Sequence, residues 1–285
     1  MIQEWMQKLN DYGHENVKKA DESYIRVMTS NILHSRAGDI AKKTWEERVD
    51  ILSAVYLTFL PDFLGLQEVG YQQYEPFLRR ISEVYATPKT PIGEYPNFRY
   101  HEADYLQNHV PIFYNKQKYR VLESRYHLFE ERGLWGYQWA LYQFREQPAQ
   151  KLIHMNLHFF SGLPDQRKRG VLDTHRELVH LRRHYPSVPI VVTGDYNLTE
   201  HDESFALLLD GLSMKTAMHL TEYNDNHIGW CHDVGSMNLV MGKGTYDHIS
   251  VTTELLEVKL HRVLYDETIV RGSDHNPMFI DVKLK

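Results

Sequence analysis

The run Pro189-Ile-Val-Val-Thr-Gly-Asp-Tyr-Asn197 constrains the fold more than any other stretch of the chain. Aliphatic and β-branched residues after a proline predict a buried strand, and the switch to glycine, carboxylate and amide marks where that strand leaves its sheet. Gly194 is read as the turning point. Because side chains alternate along a strand, Asp195 and Asn197 are expected on one side, offering an acidic oxygen and an amide to one ligand. Taken alone, the stretch favours a turn in which Asp and Asn satisfy their own backbone. Recurrence of the pattern decides between the two readings.

The same ending recurs along the chain. Tyr24–Asn31 is β-rich, with Ile25, Val27, Thr29 and Asn31 on one face, so an amide stands at the strand exit. Thr44 and Glu47 form a capping box, and Trp45, Val49, Leu52 and Tyr56 describe a helix ending before Pro61. Pro61–Glu68 is a second apolar strand that stops at a carboxylate. A strand–helix–strand unit of this kind delivers Asn31 and Glu68 to one sheet edge, where α/β proteins place ligands. Tyr71–Tyr85 reads as a helix, residues 88–105 as an irregular aromatic-rich connection, and Val110–Tyr114, Tyr119–Leu122 and Trp139–Phe144 as short strands of a β-meander. Lys151–Phe160 places His154, Asn156 and His158 on one face and Ile153, Met155, Leu157 and Phe159 on the other. These histidines also read as a zinc half-site or as satisfied core groups, though no cysteine or further close histidine supports zinc. Gln166–His184 predicts a long helix with Leu172, Leu178 and Leu181 on its buried side, and its Arg167-Lys168-Arg169 run reads as solvated surface. Ser204–Leu209 is expected to be helical. Tyr246–Thr252, Val258–Leu264 and Met278–Leu284 are expected strands, with Asp247 opening the first and Asp274-His275 in the loop before the last.

Length and charge bound what such a chain does. A chain of 285 residues supports one large domain with a real core, expected over residues 23–285 behind a peripheral helix and linker at 1–22. A formal charge of −6 and a pI near 6.3 argue against holding nucleic acid by bulk electrostatics. Cys231 is the only cysteine, which excludes an intramolecular disulfide and suggests a reducing compartment. The N-terminus lacks the apolar core of a signal peptide, and no run of about 18 apolar residues spans a membrane. A cytoplasmic protein with no obligate protein partner is the resulting expectation.

The ordered set Asn31, Gln67-Glu68, Asn156-x-His158, Gly194-Asp195-Tyr196-Asn197, Asp247-His248-Ile249 and Ser273-Asp274-His275 resembles the endonuclease/exonuclease/phosphatase superfamily of DNase I-like metal-dependent phosphoesterases, in which these blocks occur in this order. The likeness covers residues 24–285. It implies a four-layered α/β sandwich, with two mixed β-sheets packed face to face and helices outside. It also implies hydrolysis of a phosphate ester by activated water with Mg²⁺ or Mn²⁺ as cofactor. By this resemblance Glu68, Asn31 and Asp274 hold the metal, His275 oriented by Asp247 is the general base, and Asp195 orients the water. Asn197 and His158, with Asn156, bind the phosphate.

One block departs from the pattern. Many members carry a carboxylate just before the strand equivalent to Val110–Tyr114, paired with the phosphate-binding histidine, whereas this chain has Asn108-His109. Either His158 is a weaker acid partner here, or Asp104 or Glu102 substitutes. Three functions compete: a phosphodiesterase or phosphatase of unassigned substrate, a DNA- or RNA-cleaving nuclease of the same fold, and an inactive binding protein on this scaffold. The intact acidic and histidine set argues against the last, and the acidic net charge against duplex DNA.

Overall fold

The structure is a computed structural model that describes residues 2–11, 19, 21–34, 44–88, 109–129, 135–224, 231 and 245–285. The expected connection at 88–105 and the replacements Glu102, Asp104 and Asn108 fall almost wholly outside these residues. In chain order the elements are α1 (Ile2–Asp11), β1 (Ile25–Asn31), α2 (Trp45–Phe59), β2 (Phe63–Gln67), α3 (Tyr71–Ile81), β3 (Tyr85–Ala86), β4 (Ile112–Asn115), β5 (Tyr119–Leu128), β6 (Gly136–Phe144), β7 (Lys151–His158), α4 (Pro164–His184), β8 (Ile190–Asp195), α5 (Glu203–Leu209), β9 (Met214–Thr216), β10 (Asp247–Thr252), β11 (Leu256–Val263) and β12 (Met278–Leu284).

Two six-stranded sheets result, ordered β11-β12-β1-β2-β4-β3 and β5-β6-β7-β8-β10-β9. Each is built around one parallel pair joined through a helix: β1 and β2 through α2, β7 and β8 through α4. Every other pairing is antiparallel. Thr44 caps α2 with the full capping box, its hydroxyl accepting from Glu47 N–H while the Glu47 carboxylate accepts from Thr44 N–H. Leu60, at φ 45°, closes the helix in the left-handed region before Pro61 turns the chain into β2.

Three apolar layers hold these parts. Val27, Phe63, Tyr142, Leu152, Val191 and Ile280 fill the space between the sheets. Val55, Phe59, Phe77 and Phe279 lie between the first sheet and α1–α3, whereas Met155, Leu178, Leu181 and Tyr196 lie between the second sheet and α4–α5. The expected four-layered α/β sandwich is the observed fold. The N-terminal helix is a working part of the outer layer, because Leu9 is completely buried against α2. No helix among the described residues is long and apolar enough to cross a membrane.

Several local expectations shift. The helix expected over Tyr71–Tyr85 stops at Ile81, because Tyr85 is needed as a strand residue opposite Asn115 and its hydroxyl donates to Pro61 O at 2.9 Å. Val171, not Leu172, supplies the buried side of α4, and Leu172 faces outward. The expected meander is split: β4 belongs to the first sheet, and the turn at 116–118 carries the chain across to β5 and the β5-β6-β7 run of the second. Gly194 is not a turn. It sits inside β8, where a Cβ would lie 2.2 Å from Leu157 O, so the absence of a side chain lets β7 and β8 pair closely.

Polar groups also cross the space between the sheets. Asn156 Nδ2 donates to Leu66 O at 2.7 Å and Val110 O at 3.1 Å, while its Oδ1 accepts from Gln67 Nε2 at 2.6 Å and Thr193 Oγ1 at 3.0 Å. With the Thr193 proton directed to Asn156, His154 Nε2 is the donor of the 2.8 Å contact to Thr193 Oγ1. Gly65 makes room for this crossing, since a Cβ there would stand 2.4 Å from both Asn156 Oδ1 and Thr193 Oγ1. Gly65→Ala is therefore expected to lower unfolding free energy by roughly 1–3 kcal/mol, the usual scale of overpacking, measured by urea denaturation. Unchanged stability would show that the two sheets are free to separate at this point.

Candidate functional site

Topology brings the strand exits to one edge. The parallel strands β1, β2, β7 and β8 all end there, and the antiparallel β10 and β12 begin there. In register, Asn31 pairs with Gln67, while His158 pairs with Asp195 and Asp195 with Asp247. The first sheet thus supplies Asn31, Glu68, Asp274 and His275, and the second supplies His158, Asp195 and Asp247. All these residues except Glu68 and Asp274 are buried, and those two are partly so.

Asn31 joins the two sets. Its Nδ2 donates to Glu68 Oε1 at 3.0 Å and to Asp195 Oδ2 at 3.2 Å, so both amide protons are used on carboxylates from different sheets. Its Oδ1 is fixed by Leu33 N–H at 3.0 Å. Glu68 follows β2 in the left-handed region at φ 61°, which turns its carboxylate back over the sheet edge, and Oε2 accepts from His34 N–H at 2.9 Å. Across the gap, His158 Nε2 lies 3.6 Å from Asp195 Oδ2. Asp247 Oδ2 is 2.7 Å from His275 Nδ1, which makes Nδ1 the protonated nitrogen and aims Nε2 outward for proton transfer.

Two expected ligand groups are placed differently. Asn156 is fully buried between the sheets and spends both ends of its amide on the protein, so it supports the floor and offers nothing to a substrate. Asn197 does reach the site edge, but not by strand alternation: β8 ends at Asp195 and Asn197 stands at φ 48°. Its N–H donates to Asp195 Oδ1 at 2.9 Å and one amide proton to Phe159 O at 2.9 Å, leaving the other amide proton for a ligand. Ser273, quoted only as part of a motif, turns out to tie the last loop to the first strand through a 2.7 Å hydrogen bond from Oγ to Asn31 O. Asp274 stands at the rim of that loop, its Oδ1 3.3 Å from Ser273 Oγ.

Burial and mutual charge set the electrostatics. Burial, reinforced by neighbouring Asp247, pushes the Asp195 carboxyl up to about 6 against the pull of His158 and His275. Burial also raises Asp247, with His275 opposing it, while for His275 burial acts downward but Asp247, Asp274 and Asp195 together raise it well above the ordinary histidine value. Glu68 is lowered: burial acts upward, but His158, the Asn31 amide and His34 N–H together favour the anion.

These groups suit a cation. Glu68, His158 and Asp195 form one set whose donor atoms lie within 4.8 Å of one another, and Asp195, Asp247 and His275 form a second that shares Asp195. Asp247 Oδ1 is buried and has no hydrogen-bond partner among the described residues, a donor atom left for a ligand. Carboxylate oxygens dominate, which matches hard divalent ions that retain waters.

Two mixed sheets face to face, with an acidic imidazole-containing cleft at the strand ends, define the DNase I-like class of α/β sandwich. The sequence model of the Endonuclease/Exonuclease/phosphatase family matches residues 28–275, and the chain belongs to that family. No curated protein sequence gives a significant match. Among solved structures, an endonuclease/exonuclease/phosphatase from Bacteroides vulgatus is similar at 21% identity and a TM-score of 0.76, covering 92% of this chain and 99% of its own. A mannosyl-6-phosphatase of Bacteroides thetaiotaomicron is similar at 17% identity and a TM-score of 0.75, covering 90% and 99%. The catalytic domain of human Nocturnin with bound sulfate is similar at 20% identity and a TM-score of 0.70, covering 92% and 95%.

The raised Asp195 carboxyl has a consequence for stability. Its folded-state value near 6 lies above the unfolded value of about 3.9, so the folded state takes up a proton as pH falls between them and gains stability there. At pH 7 the buried anion is a cost. Asp195→Asn is expected to raise the melting temperature of metal-free protein at pH 7 by a few degrees, with the gain shrinking toward pH 4, as followed by calorimetry. A variant that melts lower at pH 7 would mean that the lost acceptor outweighs the relieved charge.

Proposed function

We propose that this chain hydrolyses a phosphate ester with water in a reaction that depends on a divalent metal, Mg²⁺ or Mn²⁺. The observation that carries the reading is the 2.7 Å Asp247–His275 dyad, standing beside Asp195, with Glu68 held to Asp195 through Asn31. Glu68, Asn31 and Asp274 are the residues assigned to the metal, which when bound supplies positive charge to the phosphate oxygens and lowers the pKa of water.

His275 accepts the proton of the attacking water at Nε2, while its Nδ1–H stays on Asp247 and the carboxylate stabilises the imidazolium that forms. Asp195, fixed by Asn197 N–H and Asn31, accepts the remaining hydrogen of that water and so points its oxygen at phosphorus. As the new P–O bond forms and the ester P–O bond breaks, His158 Nε2 and the spare Asn197 amide proton donate to the non-bridging oxygens. The leaving oxygen departs with a proton from solvent.

The formal charge of −6 supports a small or exposed phosphate ester over duplex nucleic acid as substrate, and the lone Cys231 supports a cytoplasmic home. Purified protein assayed with Mg²⁺ or Mn²⁺ against a monoester, a diester, single- and double-stranded DNA, RNA and sphingomyelin tests the reading. Full activity in excess chelator would end it, and preferred cleavage of duplex DNA would replace it with the nuclease reading.

On the best substrate, the rate is expected to rise with pH through an apparent pKa above the ordinary histidine value of about 6.5, because His275 must be unprotonated and Asp247 resists that. His275→Ala is expected to lower turnover by roughly 10² or more with little change in melting temperature. Asp247→Asn should lie on the same route, so the double variant is little worse than the worse single one. Losses that multiply would show that the pair does not act as a unit.

A further inference from the structure

Arg48 is fully buried in the first turn of α2. Its Nη1 donates to Ile32 O at 2.5 Å and Gly272 O at 3.0 Å, and its Nη2 to Leu33 O at 2.9 Å. These carbonyls belong to the two loops that carry the site: the exit of β1 just after Asn31 and the entry to β12 just before Ser273-Asp274-His275. Gln73 of α3 reaches the same place, donating from Nε2 to Leu33 O at 3.0 Å while its Oε1 accepts from Gly70 N–H at 3.0 Å, which ties in the loop after Glu68.

The held backbone is the part that presents the acidic oxygens. Leu33 N–H fixes Asn31 Oδ1, and His34 N–H fixes Glu68 Oε2. Leu33 itself stands at φ 57°, a strained conformation for a leucine, which persists only where surrounding contacts over-determine it. We propose that Arg48, aided by Gln73, is a positioning residue that holds the 32–34 loop in the conformation from which Asn31 and Glu68 present a preformed metal site. The inference rests on the metal reading above and adds residues outside the cleft to it. A planar fork addressing three carbonyls in two loops does what a lysine, with one flexible ammonium, does not.

Arg26 supplies the comparison for mere stability. It too is fully buried, with a fork on Asp281 at 2.7 and 2.8 Å and a third contact to Phe59 O at 2.9 Å, but it sits at the opposite end of β1. Mn²⁺ binding to wild type, Arg48→Lys, Gln73→Met and Arg26→Lys, measured by calorimetry and by the electron paramagnetic resonance of free Mn²⁺ alongside melting temperatures, separates the two roles. Arg48→Lys is expected to weaken Mn²⁺ binding about 10- to 100-fold, the scale seen when supports of metal ligands are removed. Gln73→Met should shift it in the same direction, and serves alone if Arg48→Lys does not fold. Arg26→Lys should melt lower yet bind Mn²⁺ within about twofold of wild type, since its fork holds Asp281 and Phe59 O at the far end of β1. Wild-type affinity in a folded Arg48→Lys, or in Gln73→Met where that is the only folded variant, overturns the inference and leaves the metal reading standing. Absence of Mn²⁺ binding by wild type overturns both.

Discussion

The side-chain amide of Asn31 is the interaction on which the site depends. Glu68 ends a strand of one sheet and Asp195 a strand of the other, and each amide proton of Asn31 goes to one of these carboxylates, at 3.0 and 3.2 Å. One buried and one partly buried anion, with ligand atoms within 4.8 Å of each other, repel in a medium that screens poorly, and removing water from them costs more still. A neutral double donor answers both problems without adding a charge that competes with a cation. The sheets can therefore close face to face and still present acid on acid. The strain of Leu33 and the buried guanidinium of Arg48 serve the same end, because they fix the backbone that orients Asn31 and Glu68.

Strand exits were legible in the sequence because burial is written in runs: Ile190–Asp195 and Phe63–Gln67 are apolar until the residue at which they meet solvent and ligand. The proposed site residues were legible for the same reason, since Asn31, Glu68, His158, Asp195, Asp247 and Asp274-His275 each close or open such a run. Conformation beyond the strand end was not. Asn197 was expected beside Asp195 by alternation, but alternation ends with the strand, and a left-handed residue sends its amide to Phe159 O instead. Asn156 shares a face with His158, and that parity held. What the sequence does not show is that this face looks into the other sheet, so that only the last residue of the strand emerges into the cleft. Arg48 left one unused trace: it stands one position before Val49 and three after Trp45 on the buried face of its helix, and a guanidinium there implies carbonyl or carboxylate partners.

Composition gave the sign of the surface but not the means by which the core carries polar groups. Between the sheets, His154, Thr193, Asn156 and Gln67 form a continuous hydrogen-bonded chain that ends at the strand residue before Glu68. Burial alone lowers His154 to about 3, so it is a neutral donor throughout the physiological range and belongs to the scaffold. The glycine at position 65 is what allows the partners to reach across, while Gln67 Oε1 and His154 Nδ1 have no hydrogen-bond partner among the described residues.

Among the described residues the two histidines of the cleft are held by different means. His275 is anchored at Nδ1 by Asp247, which fixes its tautomer and would support the cation formed in the proposed general-base step. His158 has a buried Nδ1 with no hydrogen-bond partner among the described residues, and its contact with charge is through Nε2, 3.6 Å from Asp195. Among the described residues its ring is placed by packing in β7 and by the acid beside it. A histidine held in this way is suited to donating a hydrogen bond to a phosphate oxygen, where position matters most. In the proposed mechanism the proton-accepting role falls to His275, the imidazole whose second nitrogen is tied down.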